Sequence, residues 1–257
     1  MSDVFGQYSH YYDLVYADKD YALEAQYVRT LIDEHSSQSV SSLLELGCGT
    51  GIHASILSSQ GLEVFGVDLS EDMLQRARAR VNCKGVLSSR LRFTQGDART
   101  FRIDRKFDVV LSLFHVLSYQ TTESDLQAMM KTSSFHLSQN GLFIFDFWYG
   151  PAVLWQRPIT RIKRLSNDKI EVTRIAEPVM NDQINVVDVN YSIFVKTLDD
   201  DQTHQLKETH RMRYLFLAEI DILLNVNGFD RLHSEEWLTR KIPSFDSWGV
   251  CVVARKR

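Results

Sequence analysis

The chain has 257 residues, 44% of them hydrophobic and 24% charged, with a formal net charge of −4. This balance fits one large globular domain, or one domain carrying an insertion, and a pI near 6.1 argues against a dedicated nucleic-acid binder, which presents a basic face. Three cysteines provide no disulfide framework, no run approaches the roughly 18 apolar residues of a membrane span, and Met1-Ser2-Asp3-Val4 lacks a basic-then-apolar leader, so a cytoplasmic protein with no membrane partner is expected.

The first stretch is aromatic: Phe5, Tyr8, Tyr11, Tyr12, Tyr16 and Tyr21. It reads equally well as a helix packed on the sheet edge and as a lid over a ligand, with Tyr12 and Tyr21 placed to stack or donate. Residues 20–32 carry Leu23, Tyr27, Val28, Leu31 and Ile32 at helical spacing. Leu43 to Leu46 then form an apolar strand that runs into Gly47-Cys48-Gly49-Thr50-Gly51, and a helical pattern begins at Ile52. Glycines at alternate positions let the backbone turn sharply and approach a ligand, and the free N–H groups of the next helix point at the same place. Cys48 fills the loop as a small residue. The next strand, Glu63 to Val67, ends in Asp68, a carboxylate able to accept both hydroxyls of a ribose. Ser70 is a candidate N-cap for a helix over 71–81; Leu69 and Met73 flank the same turn, with Met73 placed to touch an adenine.

A third strand, from Leu91, leads to Gly96-Asp97-Ala98, where Asp97 can accept from an adenine amino group and Ala98 can back the ring. The fourth strand, Phe107 to Leu113, is nearly all apolar, as a buried parallel strand should be. Its exit, Phe114-His115-Val116-Leu117-Ser118-Tyr119, lies beyond a carboxyl strand end, where ligands bind in open α/β sheets. A helix over 123–137 and a fifth strand over 142–148 follow. From 159 to 217 the pattern changes to period-2 alternation with β-branched residues, which predicts four antiparallel strands over 159–165, 169–177, 184–198 and 205–217. A helix over 218–227 ending at Gly228 and two last strands over 229–237 and 248–254 complete the chain. The expected division is therefore a core of 1–148 and 218–257, with 149–217 as an inserted substrate wall or dimer surface.

The glycine spacing selects the ligand. A dinucleotide fold uses G-x-G-x-x-G to seat a pyrophosphate; here the pattern is G-x-G-x-G preceded by Glu45, whose charge repels phosphate and suits a cation. Glu-x-Gly-x-Gly-x-Gly resembles motif I of the class I methyltransferases, whose cofactor, S-adenosylmethionine, carries an amine, a sulfonium and a ribose. This implies an α/β, Rossmann-like seven-stranded sheet with the antiparallel insertion after the fifth strand. The longer series Tyr12-Asp13-Leu14, Asp20-Tyr21, Cys48-Gly49-Thr50-Gly51-x-His53, Leu69-Ser70-x-Asp72-Met73-Leu74, Gly96-Asp97 and Glu208-x-His210-Arg211 is similar to bacterial N,N-dimethyltransferases of nucleotide-linked amino sugars. The resemblance implies cofactor contacts from Tyr12, Tyr21, Asp68, Asp97 and the Gly47–Gly51 loop; Glu45, Leu69, Met73, Ala98 and Leu113 complete the expected cofactor site. Tyr119 stands where the macrolide enzymes have a histidine, and Trp248 where they have an arginine, so a different nucleotide sugar or a surface-polysaccharide precursor is the expected acceptor. The Asn/Asp-Pro-Pro-aromatic tetrapeptide of nucleic-acid amine methyltransferases is absent.

Methyl transfer is an in-line displacement in which alignment alone can supply ~7–11 kcal/mol. A neutral amine needs little help, whereas a hydroxyl gains about 10²–10⁴-fold from a general base. His115 and Tyr119 are the best-placed candidates; His53 and His210 suit structural roles as well or better. No metal-ligand spacing is found. The expected function is N-methylation of a small nucleotide-linked amino sugar; O-methylation of a sugar hydroxyl or another small metabolite, and a cofactor-binding protein without catalysis, are the alternatives. An NAD-dependent oxidoreductase is disfavoured by the glycine spacing and Glu45. The insertion could also pair two copies across a two-fold axis.

Overall fold

The computed structural model describes residues 12, 14–84, 89–199 and 202–257. Phe5, Tyr8, Tyr11 and Asp13, which the sequence reading uses, lie outside the described residues, as does the side chain of Cys83, one of the three cysteines. In chain order the elements are α1 (Tyr21–His35), β1 (Ser42–Leu46), α2 (Ile52–Ser59), β2 (Glu63–Asp68), α3 (Glu71–Lys84), β3 (Leu91–Gln95), β4 (Phe107–Ser112), a 3₁₀ turn (Val116–Tyr119), α4 (Glu123–His136), β5 (Leu137–Tyr149), α5 (Gly150–Gln156), β6 (Arg161–Ser166), β7 (Ile170–Asn181), β8 (Val186–Thr197), β9 (Thr203–Leu215), α6 (Leu217–Val226), β10 (Phe229–Glu236) and β11 (Gly249–Lys256). No helix among the described residues is long and apolar enough to cross a membrane.

Strands β3, β2, β1, β4 and β5 lie side by side and parallel, and β11 and β10 add antiparallel strands beyond β5. This is the α/β sheet of seven strands, with the meander joined after the fifth, that the sequence resemblance implies. Helices pack on both faces because strand alternation sends apolar side chains both ways. Phe143, Phe145 and Phe147 of β5 meet Leu126, Met129 and Met130 of α4 and Leu223 and Leu224 of α6. Leu142 and Ile144 join Val109 and Leu111 of β4 on the opposite face, under Val28 and Leu31 of α1 and Leu57 of α2. The caps are local: Asp20 accepts from the Leu23 N–H at the start of α1, Thr122 from Asp125 N–H at the start of α4, and Ser70 from Met73 N–H at the start of α3.

The insertion is an antiparallel meander, β6-β7-β8-β9, joined to the main sheet. Trp148 of β5 pairs with Gly249 of β11 on one edge and, in parallel, with Tyr214 of β9 on the other. Strand β4 has already left that edge, its last partner being Phe145, so β9 continues the sheet where β4 stops. Alternation along the meander turns Val172, Arg174, Tyr191, Ile193, His210 and Met212 inward. Two features go beyond the sequence reading. Strand β5 starts at Leu137, before Gly141, through an irregularity between Phe107↔Leu137 and Val109↔Leu142, with Asn140 at φ +61°. Helix α5 also forms between β5 and the insertion, with Pro151 in its first turn.

Candidate active site

The glycine loop shows three different requirements. Gly47, Gly49 and Gly51 all have positive φ, +78°, +53° and +70°, a region that costs an L-residue about 1–2 kcal/mol. A Cβ on Gly47 would sit 2.5 Å from Val116, and one on Gly51 would sit 2.6 Å from Phe93; one on Gly49 would meet nothing within 4 Å. Gly47 and Gly51 are thus required by packing, and Gly49 faces open space. Asp68 braces this edge: its Oδ2 accepts the Gly49 N–H at 2.8 Å and its Oδ1 the Ser70 N–H at 2.9 Å. Burial raises the Asp68 carboxyl above its ordinary value, against those backbone bonds.

Glu45 lies under the loop with 2% of its surface exposed, and its Oε2 has no hydrogen-bond partner among the described residues. Burial, reinforced by the charge of Asp68, pushes its carboxyl up to about 8, with Lys19 opposing. Its Oε1 is 3.9 Å from His53 Nδ1, and His53 Nε2 is 2.7 Å from Glu24 Oε2, which also pairs with Lys19 at 2.8 Å. Tyr21 crosses the His53 ring edge-on at 5.0 Å, and the Lys19 ammonium stands over Phe114 at 3.7 Å. A buried acid with an unmet oxygen, beside a glycine that opens outward and a braced carboxylate, fits the amine and ribose of S-adenosylmethionine.

The other expected cofactor residues are distributed unevenly. Tyr12 and Met73 are buried together with Val172, Ile193 and Val195 of the insertion, so the N-terminal segment, α3 and the meander meet there. Cys48 is buried in the loop, Leu69 is 59% exposed, and Ala98 packs against the core. Leu113 follows Val109 and Leu111 onto the α1 face, so its side chain is core. Asp97 accepts from Arg99 at both carboxylate oxygens, and Arg99 also reaches Asp125 at 2.7 Å; the guanidinium holds the Asp97 carboxyl below its usual value.

The exit of β4 carries the two expected catalytic side chains. Phe114 and His115 both adopt φ +64°, which turns the chain into the 3₁₀ turn. Asp146, 1% exposed on β5, accepts the His115 backbone N–H at 3.0 Å, and its other oxygen is 2.7 Å from His115 Nδ1. Tyr119 Oη is 2.8 Å from His210 Nδ1, and His210 Nε2 is 3.1 Å from Glu208 Oε2. Tyr191 crosses the His210 ring at 4.8 Å, and Arg174 lies over Tyr191 at 5.2 Å. Asp146 escapes the sequence reading, although an acid inside Leu142-Phe143-Ile144-Phe145-Asp146-Phe147 is a visible signal. Glu24 and Arg174 carry no such signal, since each gains its role only through distant partners.

Comparisons with known proteins agree with the fold. Residues 43–141 match the methyltransferase domain family. The chain is 30% identical over 220 residues, 85% of its length and 81% of the relative's, to the dTDP-3-amino-3,6-dideoxy-alpha-D-glucopyranose N,N-dimethyltransferase of Streptomyces fradiae. It is 36% identical to the dTDP-3-amino-3,4,6-trideoxy-alpha-D-glucopyranose N,N-dimethyltransferase of Streptomyces venezuelae, over 54% of this chain and 56% of that relative. The crystal structure of DesVI from Streptomyces venezuelae superposes with a TM-score of 0.79 at 26% identity, over 97% of this chain and 98% of that one. With the glycine loop, Asp68 and the inserted meander, these likenesses establish that the chain belongs to the S-adenosylmethionine-dependent methyltransferases.

Proposed function

We propose that this protein transfers methyl groups to the amine of a nucleotide-linked amino sugar. The observation that carries the reading is the reach of the likeness to the Streptomyces fradiae enzyme. An alignment over 220 residues is too long to lie outside 149–217, so it includes part of the insertion that walls the site. In this reading Asp68 holds the ribose hydroxyls, Glu45 faces the cofactor's amine, Tyr12 and Met73 close the site from the N-terminal and α3 sides, and the Gly49 edge lets the backbone come close. The bound cofactor supplies a methyl group already activated on a sulfonium. The chain's own part is alignment, which can supply ~7–11 kcal/mol, together with proton acceptance at the exit of β4.

O-methylation of a sugar hydroxyl is the second reading, and the Asp146–His115 pair favours it. A carboxylate oxygen 2.7 Å from Nδ1, close enough for charge although not aligned as a hydrogen bond, stabilises the imidazolium that forms when Nε2 takes a hydroxyl proton. Incubation with S-adenosylmethionine and a panel of nucleotide sugars, half with free amines and half with hydroxyls only, separates the two. Mass gain confined to the amines supports the first reading, and mass gain confined to the hydroxyls replaces it with the second. No product with the cofactor bound would mean that the acceptor lies outside sugars or that the protein binds the cofactor without catalysis.

A further inference from the structure

The inner face of the insertion brings a carboxylate, an imidazole and a phenol into one line, Glu208–His210–Tyr119, with contacts of 3.1 and 2.8 Å. The order of protons along that line follows from chemistry. An ionised carboxylate only accepts, so His210 Nε2 carries the hydrogen that Glu208 receives. The Nδ1 of a neutral imidazole is then a lone pair, and the Tyr119 hydroxyl donates to it. Tyr119 thereby turns its oxygen lone pairs, rather than its hydrogen, to other partners. His210 is 4% exposed, and the described side chains that face it include Tyr119 from the 3₁₀ turn, Tyr191 from β8 and Glu208 from its own strand, with Arg174 of β7 beyond Tyr191.

We propose that Glu208, His210 and Tyr119 form a proton relay that strips the acceptor nitrogen between methyl additions, with His210 as a positioning residue acting through Tyr119. The proposal rests on the amino-sugar reading. Each N–C bond is made with the nitrogen lone pair, so the nitrogen ends as an ammonium. A second addition requires that the lone pair be restored. The ammonium N–H proton passes to Tyr119 Oη while the Tyr119 O–H proton passes to His210 Nδ1. The electrons of the broken N–H bond return to nitrogen, Tyr119 is again a neutral phenol, and the imidazolium is held by Glu208 until it loses its proton to water. The insertion then takes part in the chemistry as well as in shaping the pocket.

Two measurements test the relay separately from the substrate assignment. In the cofactor-free protein, 15N imidazole shifts should report His210 as the Nε2–H tautomer, and Glu208→Leu, which removes the acceptor, should weaken that preference; a Nδ1–H tautomer in the unaltered protein would overturn the relay. With S-adenosylmethionine and an accepted amino sugar, His210→Gln should lower kcat about 10²-fold with KM unchanged. It should also remove the acidic limb of the kcat profile and accumulate monomethyl product. An unaltered profile and product ratio in His210→Gln would overturn the proposal. If no amino sugar is accepted, the substrate reading fails and takes the nitrogen-stripping step with it, whereas a wrong tautomer overturns the relay while the substrate reading stands.

Discussion

Asp146 grips His115 at two points, accepting its backbone N–H at 3.0 Å with one oxygen and approaching Nδ1 to 2.7 Å with the other. The first contact holds a backbone at φ +64°, and the second sets a buried negative charge beside the ring. Asp146→Asn keeps an oxygen for the backbone N–H but removes the charge that would hold an imidazolium. Transfer to a hydroxyl acceptor should fall about 10²-fold or more, and transfer to an amine much less. Comparing kcat on both acceptor classes checks this; equal losses would mean that Asp146 serves only the turn.

Gly47 and Gly49 should respond differently to the same substitution. Both carry positive φ and pay a similar backbone cost. Gly47→Ala also drives a methyl into Val116, so its thermal midpoint should fall well below that of Gly49→Ala. Gly49→Ala should stay folded and lose cofactor affinity by tenfold or more, because its methyl projects into the open edge of the loop. Calorimetry and a thermal melt on each variant decide the matter. Undiminished cofactor binding by Gly49→Ala would move the cofactor elsewhere.

Asp68→Ala removes the acceptor for two backbone N–H groups as well as the proposed ribose partner. A hydrogen bond to a charged group contributes about 1.5–3 kcal/mol, so cofactor affinity should drop about 10–100-fold. A dissociation constant equal to that of the unaltered protein would refute the ribose assignment.

Glu45 makes stability depend on pH. Its carboxyl sits at about 8 when folded, against an ordinary 4.5. A group whose folded value is raised favours the folded state while it is protonated, so its contribution is full below about 4.5 and is lost as pH rises toward 8. In that window the slope is about 1.4 kcal/mol per pH unit, with Lys19, His53, Glu24 and Asp68 nearby to modify it. Urea unfolding of the cofactor-free protein should show this decline, and Glu45→Gln should flatten it. A cationic amine placed against Glu45 would also expel its proton. Cofactor binding at pH 7 should then release close to one proton, read as a buffer-dependent binding enthalpy that is absent in Glu45→Gln.

The sequence makes much of this legible, for physical reasons. The glycine spacing, Asp68 and the change from helical to period-2 pattern each depend on neighbouring residues, and each appears where the pattern puts it. The Leu113 side chain is buried with Val109 and Leu111 on the α1 face, as strand alternation predicts, and this is the face that also carries Glu45. The Glu24–His53–Glu45 chain is different. Glu24 reads as a solvated helix residue, and it is buried only because α1 lies over α2 and reaches Trp237. The pairing of Tyr119 with His210 depends on the meander returning to the 3₁₀ turn, which no local pattern specifies. Strand β5 begins early because Asn140 takes a left-handed conformation and lets the pairing with β4 restart, an adjustment that the Asn-Gly pair conceals as a simple turn.

Trp148 has a strand partner on both edges, Gly249 of β11 and Tyr214 of β9. The plank that carries Asp146 therefore continues directly into the sheet that carries His210. Under the proposed function, a chain built this way can exchange alternate residues of β7, β8 and β9 and so take a different acceptor, while the glycine loop keeps its shape. Diversification of acceptors within such a scaffold is a matter of repainting one face of a fixed board.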